Sequence, residues 1–92
     1  MKHPTACIDV FPVTSRSGLN LLAATRLAGT ARQFLCDVEV ACDGACANAK
    51  NILEIATLAA MAGSVLVVTT RGGDASEAMR AIDQLLRTRL FS

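Results

Sequence analysis

Apolar and polar residues along this chain alternate, then cycle, then alternate again. Cys7 to Val13 has the length of a strand, and Pro12 within it cannot donate to a β-ladder, which restricts the segment to a sheet edge. From Leu21 the period lengthens. Leu21, Ala24, Leu27, Ala28 and Ala31 recur at helical spacing and predict one buried stripe, with Asn20 as the N-cap. Leu22 falls nearly opposite that stripe and is expected in solvent. Asp37 to Cys42 returns to a period of two, with Val38 and Val40 inward and Asp37 and Glu39 outward. Asp43-Gly44 is a type I′ hairpin signal, and Ala45, Ala47 and Ala49 continue the inward face of the returning strand. Asn51 to Ala60 is expected to be a short helix, ended near Gly63. Ser64 to Thr70 is rich in β-branched residues, as a central strand would be. After an Arg71-Gly72-Gly73 turn, Asp74 and Glu77 give a capping-box-like start to a last helix. Its core stripe is Ala75, Ala78, Met79, Ile82, Leu85 and Leu86, with Arg80, Arg87 and Arg89 in solvent.

The element order is thus β-α-β-β-α-β-α, an α/β (α+β) two-layer sandwich in one domain over residues 1–92, with residues 1–5 frayed. At 92 residues the chain is near the lower end of what folds alone. It has no Trp or Tyr and only three Phe, so its core must be built from Ala, Leu, Ile and Val. A formal net charge of +1 gives no field to steer nucleic acid or anionic lipid. Aromatic platforms for single-stranded nucleic acid are also absent. No apolar run approaches the length of a membrane span, and no signal core precedes a cleavage site. The expectation is a cytoplasmic protein that neither binds nucleic acid nor inserts into a membrane.

In a cytoplasm the four cysteines stay reduced. Cys42 and Cys46 have the spacing of a metal or redox pair, but the two-residue Asp43-Gly44 turn pairs Cys42 with Ala45 and Ala41 with Cys46. The two thiols then point to opposite faces of the sheet and cannot share a metal. Cys36 and Cys42 have core parity, whereas Cys46 is expected to be exposed. No metal site and no cofactor are expected.

The stretch Ser17-Gly18-Leu19-Asn20-Leu21-Leu22-Ala23-Ala24 resembles the active-site segment G-L-H-T-R-P-A-A of the HPr family, the phosphocarriers of the bacterial sugar phosphotransferase system. One ungapped register carries the resemblance from Phe11 to Leu86. Phe34 falls on the aromatic that closes the family's first helix, and Asp43-Gly44 on its N-G turn. Ala47-Asn48-Ala49-Lys50-Asn51-Ile52-Leu53 falls on A-S-A-K-S-L-F, and Thr57-Leu58, Gly63 and Val65 to Thr69 on the marks that follow. The resemblance implies a four-stranded antiparallel sheet of order 1-4-2-3 with three helices on one face.

It also implies a site whose chemistry has gone. Asn20 occupies the phosphohistidine position, Leu22 the Arg position, Ala23 the Pro position, and Asn51 the position of a regulatory Ser. Imidazole has a lone pair available at neutral pH. A carboxamide nitrogen gives its lone pair to the carbonyl and is no recognised nucleophile, and Leu22 offers no guanidinium clamp. The only histidine is His3, near the N-terminus. Ser15 and Ser17 are loop hydroxyls with no base beside them in sequence. No catalytic constellation emerges.

In the family the active-site loop and the short helix form a docking face for partner proteins. The matching positions here are Asn20, Leu21, Leu22, Asn51, Ile52, Leu53 and Glu54, with Glu54 where the family tends to have Lys. The expectation is a phosphorylation-incompetent relative that binds another protein there. A carrier using another residue and a small ligand-binding sandwich unrelated to phosphotransfer are the alternatives. A second surface follows from the implied strand order: Ile8 and Val10 neighbour Val65 and Val67, all facing away from the helices, while Phe11 and Val13 match inward positions. That patch predicts a homodimer, through this face or by exchange of the first strand.

Overall fold

The structure, a computed structural model, describes residues 5–91. The elements follow the predicted order: β1 (Ala6–Pro12), α1 (Leu21–Ala31), β2 (Asp37–Cys42), β3 (Ala45–Asn48), α2 (Ile52–Thr57), β4 (Val65–Arg71) and α3 (Ala75–Leu85), which continues as a π-helical turn, Leu86–Leu90. The sheet is antiparallel throughout, in the order β1-β4-β2-β3. The three helices lie on one face of it. Pro12 is on edge strand β1, where its missing N–H costs no ladder bond. Asp43 and Gly44 both have positive φ, 50° and 84°, as a type I′ turn requires. His3 lies outside the described residues. Of the segment expected to fray, Thr5 is held, its carbonyl accepting from the Gly72 N–H at 2.8 Å.

The core is built from small and branched side chains. Phe11, Leu27, Val38, Val40, Ile55, Leu66, Val68, Ile82 and Leu86 are buried between the layers. Helix α1 buries Ala23, Ala24, Leu27, Ala28 and Ala31, so four of its five core residues are alanines, and it packs closely on α2 and α3. Leu21 was expected in that stripe and is instead 61% exposed. Leu19, one residue before the cap, fills the core there and leaves the first turn of α1 to solvent. Ala45 was expected inward and is exposed: it adjoins the hairpin turn, and the inward face of β3 is covered only at Ala47. Helix α2 is also shorter than its pattern, ending at Thr57 rather than Ala60. Ala59 adopts a φ of 50°, which a right-handed helix does not allow.

Asp74 is the N-cap of α3 by position, yet its carboxylate makes no capping bond. Its two oxygens accept instead from the Leu35 and Cys36 N–H groups, both at 2.8 Å. These bonds tie the start of α3 to the chain entering β2. The Leu35 N–H is the main reason that the Asp74 carboxyl is held below its ordinary range. Burial, followed by the neighbouring Asp74, pushes the Cys36 thiol up. At the far end of α3, Arg87 pairs with Asp83 and with Asp9 of β1 at 3.6 Å. Its guanidinium stands 4.7 Å from the centre of the Phe11 ring, a cation–π geometry that pins the edge strand.

A carboxyl whose folded pKa is depressed stabilises the fold above its unfolded pKa, about 3.9, and loses that contribution as pH falls through the folded value. Asp74→Asn is therefore expected to lower the urea midpoint at pH 7. The gap to wild type should narrow as pH falls below about 3.9. Matched unfolding curves across pH 2.5–7 check this.

Candidate functional site

The loop before α1 is fixed by a close backbone approach. Gly18 has φ +63°, and a Cβ placed on it would lie 2.3 Å from the Ala60 carbonyl oxygen. Only glycine fits there without moving backbone. The next residue, Leu19, donates its N–H to the same Ala60 oxygen at 2.8 Å, and the Gly18 N–H reaches Ser15 O at 3.0 Å. The start of α1 is thereby pinned to the segment leaving α2. At the other end, Arg32 Nε donates to Lys50 O at 2.8 Å and Lys50 Nζ to Phe34 O at 2.7 Å. Helices α1 and α2 consequently run antiparallel.

Asn20 begins α1. Its Oδ1 accepts from the Ala23 N–H at 2.9 Å while its carbonyl takes the first helical bond, from Ala24, at 2.8 Å. The side chain is therefore engaged as a cap. Leu21 and Leu22 follow on the first turn, each 61% exposed, so Leu22 lies where its spacing put it. Asn51 plays the same part for α2, its Oδ1 accepting from the Leu53 and Glu54 N–H groups at 3.0 and 3.2 Å. Glu54 closes the arrangement: one oxygen accepts from the Asn48 N–H at 3.0 Å and the other from Asn51 Nδ2 at 3.3 Å. Its negative charge is held at the start of α2, where the helix dipole favours it. Ile52 packs partly into the core, and Leu53 is 74% exposed.

The seven residues thus occupy the first turns of two antiparallel helices, each turn capped by an asparagine, with the Asn20 group and the Asn51 group at opposite ends of the helix pair. Met61 lies beside the start of α1, and sequence reasoning did not single it out. It follows the Ala60 carbonyl that holds Leu19, its backbone lies against Gly18, and it is 70% exposed. No local signal in the sequence marked it. Ser15 and Ser17 lie in the loop just before, where Ser15 contributes its carbonyl to the Gly18 turn. Cys42 is buried and Cys46 exposed, on opposite faces as the hairpin register requires. Among the described residues no group of three His, Cys, Asp or Glu is placed to hold a metal, and no helix is long and apolar enough to cross a membrane.

An open-faced sandwich of this strand order, with a glycine-pinned loop feeding the first helix, is the architecture of a small phosphocarrier. The family model described as "PTS HPr component phosphorylation site" matches residues 9–88. The phosphocarrier protein HPr of Neisseria meningitidis is 35% identical over 74 residues, 80% of this chain and 83% of that protein. Among solved structures, the histidine-containing phosphocarrier protein of Mycoplasma superposes with a TM-score of 0.88 at 25% identity, covering 94% of this chain and 99% of that one. An HPr dimer from Thermoanaerobacter tengcongensis covers both chains fully, at 27% identity and a TM-score of 0.73. The chain belongs to the HPr family.

Gly18→Ala is expected to cost about 2–4 kcal/mol, because a left-handed backbone and a backbone clash coincide. Gly44→Ala, also left-handed at φ 84° but with nothing within 4 Å of the added methyl, should cost only about 1–2 kcal/mol. Urea denaturation of the two variants side by side tests the difference. Asn20→Ala should remove about 1 kcal/mol by the same assay, as the loss of a cap does.

Proposed function

We propose that this member of the HPr family takes no phosphoryl group at position 20 and works as a protein-binding, regulatory module. The observation that carries the reading is the state of Asn20. Its oxygen is spent on the Ala23 N–H, and its nitrogen is an amide without nucleophilic character. The sole histidine of the chain is His3, seventeen positions earlier, and the residue two positions after Asn20 is Leu22 rather than an arginine. Asn51 likewise has no hydroxyl to phosphorylate. Neither nucleophile nor clamp is present where the family's resemblance would put them, and the protein is read as non-catalytic.

What remains is a surface. Leu21, Leu22, Leu53 and Met61 expose apolar side chains on a frame held rigid by the two asparagine caps and the Ala60 carbonyl. The centre of a protein interface is more apolar than its rim, which suits these side chains to a protein partner. Asn20, Asn51, Ile52 and Glu54 complete the surface. The fixed negative charge of Glu54 and the missing arginine disfavour partners that select positive charge. A carrier working through another residue is the second reading, and one experiment separates the two.

Incubated with phosphoenolpyruvate and the phosphotransferase system's first enzyme, then weighed intact, the protein is expected to keep its mass. A gain of one phosphoryl group would favour the second reading. Leu22→Arg should weaken binding of the cognate partner by about tenfold, the loss expected when a charge enters an apolar contact. Calorimetric titration measures it, and unchanged affinity would count against the surface.

A further inference from the structure

The face of the sheet turned away from the helices has a pattern of its own, set by register. Val10 of β1, Val67 of β4, Ala41 of β2 and Cys46 of β3 form one row across all four strands. Pro12 and Val65 pair in the row beside it. Val10, Val65 and Val67 are 49%, 44% and 37% exposed. Toward the other end of the same face, Arg71 of β4 lies opposite Asp37 of β2. Both are exposed, and neither makes an ion pair with the other or with another described residue. A solvated sheet face ordinarily carries polar residues, so an apolar row of this width marks an association surface.

Two symmetric ways of stacking this face on itself differ in what they bring together. A two-fold axis across the strands would set the charged end of one copy on the apolar end of the other, with Arg71 buried against valine. A two-fold axis along the strands, between β4 and β2, keeps each row over itself and exchanges the columns. Val67 then covers the partner's Ala41, Val10 covers the partner's Cys46, and Arg71 meets the partner's Asp37, each contact occurring twice. In these two rows apolar area meets apolar area and charge meets its opposite; in the row between them Ile8 covers the partner's Asn48 and Thr69 the partner's Glu39, which leaves no like charges facing each other. Packed sheets rotate by about 30° relative to each other. This displaces the outer strands more than the inner ones, and the Arg71 and Asp37 columns are the inner ones.

We propose that the open sheet face binds a second copy of this chain in this orientation, Arg71 of each copy pairing with Asp37 of the other. The area decides the strength. Four strands about 4.8 Å apart and about five residues deep present about 300–400 Å² per copy, below the ~800 Å² per partner of a stable interface. The dimer is weak and forms by mass action.

Sedimentation velocity on the full chain under reducing conditions, from about 10 µM to about 1 mM, should show the average mass rising toward that of a dimer. Arg71→Asp sets like charges together at both symmetric places and should lower association about tenfold. The exchange Asp37→Arg with Arg71→Asp should restore it. A second variant is independent of these charges. Val67 lies on an inner strand in the apolar row, and Val67→Glu would set a charge against the partner's Ala41, so it should also lower association about tenfold. A monomer at every concentration, or a dimer indifferent to Arg71→Asp or to Val67→Glu, overturns the proposal.

Discussion

The Ala60 carbonyl, approached by Gly18 and bonded by Leu19, is the constraint from which the site's geometry follows. It fixes where α1 starts. Once that start is fixed, Asn20 must cap the helix and Leu19 must enter the core. Leu21 and Leu22 are then left outside. The same contact joins α1 to the segment after α2, so the exposed side chains of both helices belong to one frame. The bonds from Arg32 and Lys50 secure the opposite end of the pair. A residue with a Cβ at position 18 would have to move this backbone, and everything the loop positions would move with it.

A frame that holds a residue at a helix start does not require that residue to be reactive. A histidine there would offer a lone pair near free N–H groups and the positive end of the helix dipole. An asparagine offers a capping oxygen, which stabilises the helix but takes up no cargo. The second helix makes the same trade. Asn51 caps α2 and ties up Glu54, so a position that could carry a regulatory hydroxyl instead carries structure. Both asparagines act as helix caps, and a surface fixed in this way loses less entropy on binding, which suits the proposed function.

Much of this was legible in the residues, for physical reasons that differ by element. The strand alternation of Val38 and Val40, the positive-φ turn at Asp43-Gly44 and the edge assignment from Pro12 each rest on a local rule, and each held. The strand order came from the resemblance to the HPr family, because periodicity says nothing about which strands pair. The misplaced residues, Leu21 and Ala45, sit at element ends, where periodicity extends past the area that the other layer covers. Asp74 was read as a cap because its neighbours have capping spacing. Its actual partners, Leu35 and Cys36, are nearly forty residues away in sequence, and no local pattern encodes that contact. Met61 escaped notice for a similar reason: its importance comes from lying against Gly18, a tertiary fact.

The central claim is that the phosphocarrier frame is intact and only its reactive groups are missing. The most direct test restores them. The double variant Asn20→His with Leu22→Arg, exposed to phosphoenolpyruvate and the system's first enzyme, should gain one acid-labile phosphoryl group at residue 20 while the unaltered protein gains none. A double variant that stays unmodified, or an unaltered protein that is phosphorylated equally well, would contradict the account.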